Sequence, residues 1–318
     1  MKYSSAFYYA VATISVATAL PSVSRARQAG CSSPEIRKSW NDANDAERGA
    51  YLDAAVCLTT KPSRLGHTGT TIHDDFAWVH NKLFRDIHGV AAFLPWHRLF
   101  VQAYEAALRT ECGYPGSAMY WDWVRDSAAP SLASVWDPVT GFGGNGSSTD
   151  GSFCVRDGPF ANLQLAYWNN DTTPHCLKRQ WLDVQGPTPE MLGIAYSQAI
   201  VTDVFTNTDF LSFHGSLESR PHAAVHAGIS GYNGDMGPAT SPNDPIFFLH
   251  HTQVDRLWWL WQQESETRVY DYAGNVDPDY LGDLDATLDD TLELLGLGPD
   301  RTVREMMDAG SSDLCYGY

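Results

Sequence analysis

The chain has 318 residues, 43% of them hydrophobic and only 19% charged, enough apolar material to bury a large core. Its formal charge of −17 excludes partners that need clustered Lys and Arg, namely nucleic acid and anionic membrane surfaces. A small-molecule partner is therefore expected, and no stretch beyond the first thirty residues is apolar for long enough to span a bilayer.

Lys2, the apolar run "FYYAVATISVATAL" at 7–20 and the small and basic residues of "PSVSRARQAG" read as a signal peptide and a short pro-segment over 1–27, with cuts near residue 20 and after Arg27. Residues 28–318 are then expected to form a single domain of a secreted protein. "SSPEIRKSW" predicts a helix opening at Ser33 and Pro34, and "NDAERGAYLDAAVCL" continues with helical spacing. "DDFAWVHNKLFRDIHG" puts Phe76, Val79, Leu83 and Ile87 on one stripe and stops at Gly89. "LPWHRLFVQAYEAALRTECG" predicts a helix from Pro95 to Gly113. Residues 127–218, rich in Gly, Ser, Asn, Thr and Pro, read as long loops with short strands or turns, held by Cys154 and Cys176. "SRPHAAVHAG" predicts a helix starting at Ser219 and Pro221. "NDPIFFLHHTQVDRLWWLWQQ" predicts another, capped by Asp244 with Pro245 at its first position.

Six cysteines, at 31, 57, 112, 154, 176 and 315, are an even number without CxxC spacing, so disulfides are expected and no free thiol; they allow fifteen pairings among which sequence does not choose, a pair near the termini such as Cys31 with Cys315 being one. Asn145 in "NGS" and Asn170 in "NDT" are glycosylation acceptors where exposed.

The chemistry sits in the histidines. His222 and His226, four residues apart on a helix, project together and can converge on one metal. His251 and Asp255 have the same spacing, so the carboxylate is expected to hold the far nitrogen of the His251 ring. His250 points about 100° away and is expected to be a packed neighbour of the site. His80, His88 and His97 form a second triad on two successive helices. Neutral imidazoles without thiolate or carboxylate suit copper, or less specifically zinc, iron or nickel. The expected fold is mainly α: a four-helix-bundle core holding two facing three-histidine sites, with long loops and a few short strands. His67, His73, His175 and His214 are expected to be ordinary surface or loop histidines. The tryptophans at 258, 259 and 261 are expected in the core, and Asp122 in a structural role.

"HGVAAFLPWHRLFVQAYEAAL" and "NDPIFFLHHTQVDRLWWLW", the latter preceded by "PHAAVH", resemble the two metal-binding signatures of the type 3 copper proteins: tyrosinases, catechol oxidases and hemocyanins. "YWDWVRD" at 120–126, the closing "YGY" at Tyr316–Tyr318 and Arg37 also resemble family elements. The resemblance spans residues 31–318 and implies a binuclear centre of two copper ions, one on His80, His88 and His97, the other on His222, His226 and His251. Asp86 stands where many fungal and plant members have a cysteine bonded to the second histidine, so that crosslink is absent. The chain resembles the short secreted fungal form, without a covering module.

Glu218 resembles the family glutamate that holds a water near the second copper; its other reading is a first-turn acid complementing a helix dipole. By the same resemblance, Ala223 occupies the position that is often Asn or Asp in efficient monophenol hydroxylases. The resemblance implies an oxidase of o-diphenols and o-aminophenols, weak on monophenols, that uses O2 and forms o-quinones and water. It is expected to act as a monomer or weak homo-oligomer without nucleic acid or membrane. Alternatives are a true tyrosinase, a hemocyanin-like oxygen carrier, and a mononuclear or zinc site built on His222 and His226 alone.

Overall fold

Segment 33–39 forms no helix, and only a 3-10 turn begins at Trp40. In the computed structural model, which describes residues 31–182, 190–279, 282 and 284–318, strand β1 (Glu35–Ile36) pairs in parallel with Tyr316–Gly317 at the other end of the chain. The processing segment expected at 1–27 lies outside the described residues. A parallel partner supplied from far along the chain overrides the local Ser-Pro helix signal, because it satisfies the backbone groups of Glu35 and Arg37 directly.

Helix α1 (Asp45–Leu58) starts at Asn44, which forms a capping box with Glu47. Helix α2 (Ile72–Lys82) is capped in the same way by Thr71 and Asp74. The predicted stripe breaks at Leu83 and resumes as the short α3 (Phe84–Ile87), leaving His88 extended before Gly89, whose φ of +68° suits a residue without Cβ. Helix α4 (Phe93–Cys112) begins two residues before Pro95 and ends on Gly113 in the left-handed conformation, a common helix stop.

Beyond α5 (Trp123–Asp126), the region expected to be loops holds a hairpin of β2 (Gln164–Trp168) and β3 (Asp171–Cys176). It also holds two helices that its composition hid, α6 (Gln198–Val204) and α7 (Phe210–Leu217). The helix predicted from Ser219 is therefore a continuation: α7 runs through a π-helical turn, Glu218–His222, into α8 (Ala223–Ser230). Pro221 sits in that turn. A proline removes one N–H and pushes against the carbonyl a turn before it, and the wider turn absorbs both effects.

Helix α9 (Ile246–Gln263) starts one residue after Pro245. Asp244 does less capping than predicted, since both its oxygens bind the buried guanidinium of Arg179 at 2.7 and 2.8 Å. The small pair β4 (Thr291–Leu292) and β5 (Arg301–Thr302), helix α10 (Val303–Met307) and β6 (Tyr316–Gly317) complete the described order. None of the described helices is long and apolar enough to cross a membrane.

Helices α2, α4, α7–α8 and α9 form the central bundle around one hydrophobic core, in which Trp121, Trp123, Trp258 and Trp261 are fully buried. Trp259 is only partly buried at the core's edge. All six cysteines are bridged, Cys31 to Cys315, Cys57 to Cys112 and Cys154 to Cys176, so no thiol remains to modify a histidine.

Under the termini lies a buried ion network. Asp255 accepts from Arg98 Nε at 2.6 Å, Arg37 at 3.1 Å and the Tyr316 and Tyr318 hydroxyls, while Arg37 also reaches Glu105 at 2.8 Å and lies over the Tyr316 ring. Although burial alone would raise the Asp255 pKa, the two guanidiniums hold it below the usual carboxylate value. Replacing Asp255 with Leu strands a buried guanidinium and is expected to lower the unfolding free energy by about 3–5 kcal/mol. Guanidinium titration of the disulfide-intact protein measures it; a loss under 1 kcal/mol would contradict this account of the network.

Candidate metal centre

The bundle draws seven histidines into two adjoining clusters. His80, from the end of α2, His88, from the turn after α3, and His97, from the first turn of α4, place their ligand nitrogens within 4.8 Å of one another. His222, His226, His250 and His251 do the same on the α8 and α9 side. The clusters touch: the His97 and His251 rings stack at 4.3 Å and 12°, and His88 lies parallel to His222 at 6.2 Å. Phe93 fills the angle between them, with ring centroids 4.7 Å from His97 and 4.8 Å from His222.

Five rings are oriented from behind by main-chain carbonyls. His88, His97 and His222 each bond through Nδ1 to the carbonyl four residues earlier, at Phe84 (3.1 Å), Phe93 (2.8 Å) and Glu218 (3.0 Å). His80 and His226 reach instead to the segment between α8 and α9, at Ala239 (2.6 Å) and Met236 (2.7 Å). A carbonyl can only accept, so each of these rings carries its proton on Nδ1 and leaves Nε2 as a bare lone pair.

Burial, the largest influence, pushes the pKa of all seven rings below the ordinary 6.5, that of His226 to about 4. The rings are therefore neutral near pH 7, the form that binds metal.

This arrangement fits a cation. His97 Nε2 and His80 Nε2 face each other at 3.4 Å, both as acceptors, and the buried His222 Nε2 has no partner. Opposed lone pairs in a dry site repel; a cation shared between them removes the conflict. Nitrogens set about 2 Å from one metal in a trigonal array lie about 3.5 Å apart, close to what is seen.

Asp255 does not serve the centre as expected. It forms no hydrogen bond with His251, whose Nδ1 is buried without a partner, because two buried guanidiniums compete for the carboxylate and charge-assisted bonds outweigh one from a neutral imidazole. The His251 ring is held by packing between His97 and Phe247, the latter at 4.1 Å. Its Nε2 faces His226 Nε2 at 3.3 Å. His250 lies within the second cluster by nitrogen spacing, yet stacks on His222 at 5.3 Å and packs near Trp123.

Glu218 is not a first-turn acid, since helix precedes it without a break. Its Oε1 accepts the Gly89 N–H at 2.8 Å, next to His88, and its Oε2 meets His214 Nε2 at 3.0 Å. His214 and His73 are buried rather than on the surface, and His73 bonds the Asn243 carbonyl. Ala223 and Ala227 are exposed beside the half-buried His226, and Phe84 stacks on His88 at 4.5 Å, so this rim is open and largely apolar. Sequence reasoning missed Phe93, Met236 and Ala239. The last two act through main-chain carbonyls, which no residue type encodes.

The profile of the common central domain of tyrosinase matches residues 70–264, which hold both clusters. The chain belongs to the tyrosinase family. The tyrosinase-like protein phomQ1 of Diaporthe leptostromiformis is 38% identical over 308 residues, covering 91% of this chain and 78% of its own. Tyrosinase ustQ of Aspergillus flavus is 36% identical over 294 residues, covering 91% and 80%. A mutant polyphenol oxidase from Thermothelomyces thermophila superposes with a TM-score of 0.75 at 28% identity, over 90% of this chain and 88% of that one. For this tyrosinase-family chain the cofactor is thus a pair of copper ions, and the residues available to hold them are the two histidine clusters.

Because these histidines have lowered pKa values, the unfolded chain binds more protons than the folded one below pH 6.5, and stability falls as pH drops from there toward about 4. Denaturant midpoints of the copper-free protein across pH 8 to 4.5 should decline on the acid side. A flat profile would mean that the rings are not buried neutral.

Proposed function

We propose that this chain is a copper oxidase that converts o-diphenols to o-quinones and o-aminophenols to the corresponding quinone imines, with only slow hydroxylation of monophenols. The supporting observation is the rim beside His222. Ala223 is exposed there and offers no hydrogen bond, and Glu218, the carboxylate between the clusters, already has a donor on each oxygen.

In this reading His80, His88 and His97 hold one copper and His222, His226 and His251 the other. Bound copper supplies the redox chemistry, by which two diphenols give four electrons and four protons to one O2, leaving two quinones and two waters. The protein keeps the imidazoles neutral and directed, and walls the centre with Phe93, Phe247 and Phe84. A monophenol must first lose its hydroxyl proton to bind as phenolate. In this reading Glu218 holds a water that takes that proton, but both its oxygens are already engaged, by the N–H of Gly89 and the ring of His214, and Ala223 gives no help. An o-diphenol brings two adjacent oxygens and depends less on that step.

Residues 1–27 are read as a removed leader and 28–318 as one secreted catalytic domain, monomeric or weakly self-associating. Three disulfides and the exposed sequons at Asn145 and Asn170 support an oxidising, glycosylating route.

Two coppers per chain are expected by elemental analysis. His97→Ala or His226→Ala should abolish oxidation, and His251→Asn should cost more copper than His250→Asn; the reverse order would move the ligand to His250. For specificity, initial rates on tyrosol and hydroxytyrosol are compared. The monophenol should be slower by tenfold or more, and Ala223→Asn should raise its rate up to about tenfold, the worth of one hydrogen bond of roughly 1.4 kcal/mol. Equal rates in wild type would make the chain a true tyrosinase.

A further inference from the structure

The segment 231–240 between α8 and α9 carries no regular helix, yet it holds one histidine of each cluster. Met236 O accepts His226 Nδ1 at 2.7 Å and, three residues on, Ala239 O accepts His80 Nδ1 at 2.6 Å. A carbonyl in irregular chain is only as well placed as the anchors of that chain. Here one polar anchor is Asp235, which is fully buried.

One Asp235 oxygen accepts from His175 Nε2 at 2.9 Å and Asn243 Nδ2 at 3.1 Å; the other accepts the Lys178 N–H at 2.7 Å. Among the described residues no guanidinium or ammonium bonds this carboxylate. The neighbouring Asp244 is paired with Arg179, and the Lys178 ammonium lies over the Trp168 ring at 5.2 Å. His175 therefore supplies the proton.

Far from being an ordinary loop histidine, His175 sits on β3 next to the bridged Cys176, edge-on to Trp168 at 5.3 Å. Its Nδ1 meets the Thr173 carbonyl at 2.8 Å. Both ring nitrogens face oxygen, so either the ring carries two protons or it shares the second with Asp235.

We propose that the His175–Asp235 pair is a positioning device for the metal centre, fixing segment 231–240 and, through Met236 and Ala239, aiming His226 and His80 in the two clusters at once. The inference rests on reading those two histidines as copper ligands. Its consequence is that a contact touching neither cluster governs copper retention at both, because one segment carries both carbonyls.

A proton-dependent signature separates this role from general packing. Burial alone would lower the His175 pKa, but the bond to Asp235 outweighs it and the net shift is upward; burial also raises Asp235. Both shifts retain the shared proton. A raised folded pKa gives stability that is full below 6.5 and is lost as pH rises through the folded value. The pair should therefore fail on the alkaline side, whereas the cluster histidines fail on the acid side. Lys178, which opposes His175 protonation, and Asp244, which favours protonation of Asp235, are the other charged groups nearby.

The test follows copper transfer from the loaded enzyme to excess chelator between pH 6 and 9, after metal content has been measured. A wild type that loads fewer than two coppers overturns the ligand reading, and is seen before any release is timed. Wild-type release should accelerate at alkaline pH. At pH 6, His175→Ala should release both coppers about tenfold faster. His175→Gln, whose amide donates to Asp235 without titrating, should restore the pH 6 rate and flatten the alkaline rise. If His175→Ala does not fold, the comparison of His175→Gln with wild type decides. Matching pH profiles for those two, or loss of copper from one cluster alone, would overturn the proposal.

Discussion

A neutral imidazole has one proton and one lone pair, and in this protein the placement of that proton determines the rest of the centre. Five rings give Nδ1–H to a main-chain carbonyl, which turns Nε2 inward as a lone pair and fixes each ring about its own axis. Burial keeps those rings from taking a second proton near pH 7. Lone pairs aimed at one another in a dry pocket are unfavourable for the empty chain, and their cost is offset only when a cation sits among them. The fold accepts that conflict because the carbonyls and aromatic rings leave the imidazoles nowhere else to turn.

The carbonyls come from two sources, and each explains a feature of the helices. Local bonds to the preceding turn need the histidine near a helix end or at an irregular turn, which is where His88, His97 and His222 lie. His80 and His226 sit further along their helices and borrow acceptors from the segment before α9. The stacked His97 and His251 are followed, on the same pair of helices, by Arg98 and Asp255, whose ion pair clamps α4 to α9 one turn from the metal site. Arg37 and the tyrosines at 316 and 318 tie the first and last described segments to that clamp. The carboxylate expected to orient a ligand thus orients the helices instead.

Openness is the centre's remaining property. Ala223 and Ala227 keep the wall beside His226 low, while Phe84 stacks on the face of His88. Glu218 spans from the end of α7 to Gly89, beside His88, and also meets His214. The first bond could not be expected from sequence, since Gly89 is 129 residues away, and His214 becomes a partner four residues back only because the stretch read as loop forms α7.

The sequence by itself determined the histidine set, most of the helices that carry it and the copper family. Those features rest on side-chain identity and on spacing within one helix, which a linear sequence preserves. Its failures have a common physical cause. Glu35 and Ile36 became a strand because their partners are at residues 316 and 317, and α7 joined α8 because a π-turn absorbs Pro221. Asp255 turned from His251 because Arg98 and Arg37 arrive from other elements. His175 and His73 found partners elsewhere in the fold, and His214 met Glu218 because residues read as loop form α7. Competition between a local partner and a distant charged one is decided by burial and charge, and main-chain acceptors such as Met236 and Ala239 leave no mark on residue type. Only the tertiary structure could decide which way each imidazole faces.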